Sequence, residues 1–188
     1  DEEGKPVIRP YTPINKKGSD KLELLVKVYP DGKGSSYIFN LKPGDELEFK
    51  GPFVKLAYAA NMKKEIGMLA GGTGVTPMLQ VLREILDNPE DKTKVTLVFG
   101  NQSERDILLR KELDQMVTEH PDQFKVHYML DSAPEHWTGG KGFVTTDVIR
   151  AHLPAPSDDS MIFVCGPPPF VKAVAGAKNG MKQGDLDG

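Results

Sequence analysis

The chain has 188 residues and a formal net charge of −3, with 38% apolar and 27% charged residues, the proportions of a soluble globular protein rather than a disordered one. Lys and Asp/Glu are interleaved with no dense basic face, which argues against nucleic-acid binding, and one cysteine rules out an internal disulfide. The four histidines lack helical metal-ligand spacing, so no metal is expected, and with no bilayer-length apolar run or signal peptide any anchor would lie outside these residues.

The first 60 residues alternate short β-like pieces with turns. Arg9-Pro10-Tyr11-Thr12-Pro13 joins an obligate cation, an aromatic plane and a hydroxyl. On an extended strand Arg9 and Tyr11 share a face, which suits a phosphate beside an aromatic ring system; a surface strand with a salt-bridged arginine is the alternative. Leu22–Tyr29 is a β-rich run that alternates at its two ends. Gly32-Lys33-Gly34-Ser35-Ser36 leads into a helical turn expected over Tyr37–Leu41, whose amides suit a pyrophosphate, with a plain hairpin loop as the other reading. After the turn signal Lys42-Pro43-Gly44, Asp45–Lys50 alternates apolar and polar residues. This is antiparallel β material with one face in a core and one in water.

From Lys64 the rhythm becomes strand then helix, four times. Strands are expected at Ile66–Ala70, Val95–Phe99, Phe124–Leu130 and Met161–Cys165. Helices are expected at Pro77–Leu86, about Ile107–Val117, about Thr146–Leu153 and from about Pro169. Alternating β and α elements predict a doubly wound parallel sheet with helices on both faces. The division is therefore a β-barrel part over 1–60 and an α/β domain over 61–188. Ligands of such sheets lie beyond the carboxyl ends of the strands, after Ala70, Phe99, Leu130 and Cys165.

The residues at those ends differ in chemistry. Ala70 is followed by Gly71-Gly72-Thr73-Gly74-Val75-Thr76-Pro77, where glycines admit a phosphate or ring close to the backbone. Thr76 is expected as N-cap and Pro77 as first helical residue; a tight turn with no ligand is the alternative. Pro77 stands where the usual dinucleotide fingerprint has its third Gly or Ala, and Phe99-Gly100-Asn101 lacks the expected ribose-binding acid, which disfavours an ordinary Rossmann dehydrogenase. Asp131, after the third strand, suits a ribose diol and would repel a 2′-phosphate, or is a turn residue. Cys165-Gly166-Pro167-Pro168-Pro169 closes the fourth strand: Gly166 permits close approach of a planar ring, and Cys165 reads equally as apolar packing.

These strings together resemble the cytochrome b5 reductase branch of the ferredoxin-NADP reductase superfamily, across nearly the whole chain. Arg9-Pro10-Tyr11-Thr12 matches the family's flavin motif, Gly71 to Pro77 its nucleotide loop, and Cys165 to Pro169 its nicotinamide motif. The resemblance implies an FAD and NADH enzyme that passes a hydride to FAD and then single electrons to cytochrome b5 or a similar acidic haem protein. It implies that Arg9 binds the FAD pyrophosphate, Pro10 contacts the cofactor, Tyr11 packs on the isoalloxazine, and Thr12 hydrogen-bonds near flavin N5. Val26, Lys27 and Tyr29 would line FAD, with Lys27 reaching toward NADH, and Lys33, Gly34 and Ser35 would hold phosphate. Gly71, Gly72, Thr73 and Thr76 would contact flavin or dinucleotide, and Asp131 would select NADH. Cys165 would lie beside the hydride path, with Gly166 and Pro167 at the nicotinamide. Lys55, Lys63, Lys64 and Arg83 are candidate docking charges by analogy.

Asn61-Met62-Lys63-Lys64 and Gln183-Gly184-Asp185-Leu186 look most like mitochondrial forms, which implies the outer membrane or intermembrane space, with the endoplasmic reticulum as alternative. A monomer held at the membrane by a segment outside this chain is expected. Family members carry further barrel strands before the flavin motif and a final strand after the last helix, so these residues are expected to be a fragment. Two rivals stand: the reductase portion of a nitrate reductase, and a nucleotide-binding module without catalysis.

Overall fold

The structure, a computed structural model, describes residues 6–16, 18–53 and 56–177. Lys55 and the string Gln183–Leu186 lie outside the described residues. The chain divides into two compact units, Asp1–Tyr58 and Ala59–Gly188.

In the first unit helix α1 spans Lys33–Asn40. It begins four residues before the expected Tyr37, so Gly34 and Ser35 stand inside its first turn instead of in a loop before it. The cause is local. Gly32 N–H donates to Tyr29 O at 2.9 Å, Ser36 N–H donates to Gly32 O at 2.8 Å, and the turn runs straight into the helix. The runs 22–29 and 45–50 form no ladder among the described residues; Pro13 and Leu24 make an isolated antiparallel bridge beside an Ile14 N–H to Glu23 O bond of 2.8 Å. Alternation specifies which face is buried, but a ladder also needs a neighbouring strand at bonding distance. The barrel is only partly present.

The second unit is a five-stranded parallel sheet. Its strands are β1 Glu65–Gly71, β2 Lys94–Asn101, β3 Phe124–Leu130, β4 Gly140–Lys141 and β5 Ser160–Cys165. Its helices are α2 Val75–Leu86, α3 Arg110–Glu119, α4 Thr146–His152 and α5 Pro168–Ala175. All four expected strands form. β4, two residues pairing with Met129 and Leu130, was invisible to periodicity. β1 is buried at six of its seven positions, as a strand covered on both faces must be. Leu69, Val98 and Met129 face Val148, Ile149 and Leu153 from α4 and its end, with Phe170 and Val174 of α5. Ile66, Met68 and Ala70 alternate to the other face. There α2 packs on β1 and α3 on β3, joined to each other by an Arg83–Glu112 ion pair of 2.5 Å. Each fully buried Leu, Ile, Met or Phe contributes about 1.5–3 kcal/mol.

The strand order is β4-β3-β2-β1-β5. The chain steps outward from β1, then crosses back to lay β5 on the far side of β1. The order reverses between β1 and β5, and sheets of this kind bind ligands beyond the carboxyl ends at such a switch point.

One feature of this sheet carries a pH dependence. The His127 ring, on β3, stacks on His152 at the end of α4, with centroids 3.7 Å apart and planes at 20°. Burial, and then the charge of His152, hold the His127 pKa below its ordinary value. A histidine whose folded pKa is depressed leaves the unfolded chain binding more protons. Its stability contribution is complete above the unfolded pKa of about 6.5 and declines as pH falls below it. The melting temperature is expected to drop between pH 7.5 and pH 5.5, and the drop should shrink in H127N. An equal drop in both proteins would assign it to other groups.

Candidate functional site

β1 ends at Gly71 and runs through the 3-10 turn Gly72–Gly74 directly into α2. The turn supplies the helix start that Thr76 was expected to supply. Gly74 is the N-cap, Val75 N–H already bonds to Gly72 O and Thr73 O, and no side chain caps α2. Thr76 is therefore the second helical residue and Pro77 the third, still inside the first turn where a missing N–H costs nothing. The Thr76 side chain is buried and donates its hydroxyl back to Thr73 O at 3.1 Å.

The two glycine-containing strings meet across the switch point. A Cβ on Gly74 would fall inside the van der Waals envelope of the Cys165 carbonyl and 2.8 Å from Gly166 N. A Cβ on Gly166 would lie 3.2 Å from Gly71 Cα and 2.7 Å from the Phe170 ring. Phe170 also crowds Gly71 at 2.8 Å and Gly100 at 3.3 Å. The close approaches that explain these glycines are to the protein's own Phe170 and Cys165 backbone. Gly72 differs: its φ is +50° and nothing lies within 4 Å of where a Cβ would stand, so its half-buried backbone borders open space on that side.

Along the same carboxyl edge, Cys165 pairs with Ala70, Gly71 with Gly100, and Asn101 with Leu130. Asp131 follows, its N–H donating to Asn101 O at 3.0 Å, and Ser132 N–H donating to Gln102 O at 2.8 Å extends that pairing. At about 4.8 Å per strand, Asp131 stands about 14 Å along the edge from Cys165. That spacing suits the two ends of an extended ligand. Partial burial raises the Asp131 carboxyl above its ordinary pKa.

Periodicity missed three residues at this edge. Asn101 is 6% exposed, and its side-chain oxygen has no hydrogen-bond partner. The Phe170 ring packs against Gly71, Gly100 and Gly166. Phe143, 74% exposed, follows β4 beside the Gly142 N–H to Leu130 O bond of 2.8 Å. An apolar residue directly after Gly-Lys-Gly was the available signal for Phe143.

In the first unit the structure brings Arg9 to the helix start. A Cβ on Gly34 would lie 3.2 Å from Arg9 Cγ, so the arginine stem crosses the first turn of α1, which no side chain caps. Ser35 is buried; its hydroxyl donates to Gly32 O at 3.1 Å and accepts from Tyr29 N–H at 3.2 Å. A cation beside uncapped helix amides is a donor set for phosphate. Tyr11, Thr12, Val26 and Lys27 are half-buried, and Arg9, Pro10, Tyr29 and Lys33 are exposed.

Three of the candidate docking charges, Lys63, Lys64 and Arg83, lie among the described residues, all in the second unit. Lys63 and Lys64 precede β1 at its amino end, bound to Asp158 O and to the Asp159 carboxylate, the whole length of the strand from Gly71. Arg83 is held by Glu112.

Residues 68–176 match the oxidoreductase NAD-binding domain family and residues 1–58 the oxidoreductase FAD-binding domain family. The chain is 52% identical over 189 residues to NADH-cytochrome b5 reductase 2 of Aspergillus clavatus, covering 99% of this chain and 59% of that protein. It is 54% identical over 177 residues to NADH-cytochrome b5 reductase 1 of Dictyostelium discoideum, covering 92% and 60%. Among solved structures, the cytochrome b5 reductase domain of Ulva prolifera nitrate reductase superposes with a TM-score of 0.82 at 35% identity, covering 90% of this chain and 72% of that one. The chain belongs to the NADH-cytochrome b5 reductase family. It spans about 60% of the length of the curated relatives it matches. Within the family it carries the NAD-binding domain and part of the FAD-binding domain. Among the described residues no helix is long and apolar enough to cross a membrane.

Proposed function

We propose that the full-length protein is a flavin-dependent NADH reductase that takes a hydride from NADH and delivers single electrons to cytochrome b5 or a similar acidic haem protein. The observation that carries this reading is the meeting of Gly71–Gly74 with Cys165–Gly166 at the switch point, with a carboxylate farther along the same edge. FAD, when bound, converts a two-electron donor into a one-electron source, chemistry that side chains lack.

The chain's own residues then bind and orient. Arg9 and the α1 amides, with Lys33, Gly34 and Ser35, hold the FAD pyrophosphate. Tyr11 and Pro10 pack at the ring system, Thr12 hydrogen-bonds at its edge, and Val26, Lys27 and Tyr29 line it. Gly72 and Thr73 present backbone to the ligand, while Thr76 acts by holding the Thr73 carbonyl. Asp131 accepts the ribose hydroxyls, and Phe143 offers an apolar plane to the adenine. Gly166 and Pro167 lie against the nicotinamide, and Cys165 packs beside the hydride path without supplying a proton or a nucleophile.

The reductase portion of a nitrate reductase is the second reading, supported by the Ulva prolifera structure. The higher identity to the curated reductases, 52% and 54% against 35%, favours the first. Mitochondrial placement, a monomeric state and an anchor in a segment outside this chain belong to the same proposal and rest on likeness of sequence. Anaerobic titration of the purified full-length protein with NADH is the test. A yellow protein that bleaches, and recovers its colour when oxidised cytochrome b5 is added, supports the reading. A colourless protein that binds NADH is a module without catalysis and overturns it.

A further inference from the structure

A cluster outside the proposed redox path ties α3 to the segment 131–139. Arg110, the first residue of α3, lays its guanidinium 5.8 Å from the centroid of Tyr128 and 5.3 Å from that of Trp137. The same group donates to Glu104 Oε1 at 2.6 Å and lies 3.7 Å from Asp114 Oδ2. Glu104 Oε2 meets His136 Nε2 at 3.2 Å, and the Tyr128 hydroxyl donates to Asp114 Oδ1 at 2.7 Å. Hydrogen bonds from Arg110 and then His136 hold the Glu104 carboxyl below its ordinary pKa. Trp137 is 8% exposed and donates its indole N–H to Gly140 O at 3.0 Å, while a Cβ on Gly139 would stand 2.8 Å from its ring.

This arrangement needs an arginine. A flat guanidinium can stack on rings and fork to a carboxylate at once, which an ammonium cannot. It grips a segment with no strand or helix of its own, whose ordering has a conformational entropy cost. Backbone bonds to the β2 exit fix Asp131 and Ser132, and Trp137 N–H donates to Pro134 O at 3.0 Å within the segment, but His136 and Trp137 meet Glu104 and Arg110 through side chains. Arg110 and Glu104 are each more than a third exposed, so their ion pair adds little to global stability. What the cluster supplies is a pre-formed loop.

We infer that Arg110 is a positioning residue for the dinucleotide: by stacking on Trp137 and holding Glu104 against His136, it keeps the segment 131–139 in the conformation that presents Asp131 to the ligand. The inference rests on the proposed role of Asp131 at the ribose.

The test uses full-length protein with R110A, R110K and E104Q, and with W137F as the fluorescence reference. R110A should raise the NADH KM about tenfold while kcat stays within about twofold, the pattern of lost positioning rather than lost chemistry. ADP-ribose, which carries the adenosine end without the reactive ring, should bind R110A about tenfold more weakly by calorimetry. The fluorescence that W137F removes should become easier to quench with acrylamide in R110A. R110K should recover only part of each loss. E104Q, which keeps the guanidinium on the rings, should move the same way by less, and serves where R110A fails to fold. An R110A protein with an exposed Trp137 and unchanged ADP-ribose affinity overturns the inference alone. If unsubstituted protein binds no ADP-ribose, or D131S binds it as well as the unsubstituted protein, the role of Asp131 has failed and the inference with it.

Discussion

Gly74→Ala is expected to lower stability by about 1–3 kcal/mol and NADH turnover by about two orders of magnitude. The added Cβ would meet the Cys165 carbonyl and stand 2.8 Å from Gly166 N, and both obstacles are backbone in the sheet and its exit turn. Neither can rotate away as a side chain would, so β5 and the turn must separate, and the edge proposed to face the nicotinamide moves with them. At about 2–4 °C per kcal/mol, thermal melting of the full-length protein will register the change. Gly72→Ala is the control. Its Cβ meets nothing, and the φ of +50° costs about 1 kcal/mol for a non-glycine residue. G72A should therefore melt near the unsubstituted protein yet bind dinucleotide or flavin more weakly, since the methyl group occupies the open face. A G74A protein with ordinary melting and ordinary turnover would refute the account of the crossing.

Asp131→Ser should raise the NADH KM by about tenfold or more and narrow the preference for NADH over NADPH by a larger factor. A carboxylate accepting ribose hydroxyls makes charge-assisted hydrogen bonds, worth about 1.5–3 kcal/mol, and it repels a 2′-phosphate. Serine keeps the N–H that donates to Asn101 O, so the turn should survive and the change should report ligand contact. Discrimination against NADPH depends on the ionised form. Because partial burial raises the Asp131 pKa, discrimination should weaken on acidification sooner than an ordinary aspartate would allow. The check is kcat/KM for both dinucleotides in D131S and the unsubstituted protein at pH 7.5. An unchanged ratio would place the adenosine end elsewhere.

Much of the α/β domain was legible in residue patterns. Strands such as Ile66–Ala70 and Val95–Phe99 are short, mostly apolar runs because both faces are covered, and Met78, Leu79, Leu82 and Ile85 mark one buried helical stripe. Periodicity failed where the signal was short or depended on a neighbour. β4 is two residues long, below any repeat. Thr76 has the chemistry of an N-cap, yet the turn Gly72–Gly74 had already supplied the helix start. α1 begins at Lys33 because Gly32 bonds back to Tyr29, a turn that propensity alone does not reveal. The expected strands of the first unit carry a fair β pattern but show one bridge among the described residues.

The glycines divide the two sources of information most clearly. Residue type marked Gly71, Gly72, Gly74 and Gly166 as places of close approach, and the strand–helix rhythm placed them at strand ends where ligands collect. Only the folded sheet decided what approaches them: Phe170 and the Cys165 backbone at three, open space at Gly72. Local pattern determines which stretches become strands and helices, because periodicity and propensity act over a few residues. Strand order is set by packing between residues far apart in sequence, and the return of β5 to the side of β1 brings two strings more than ninety positions apart into contact.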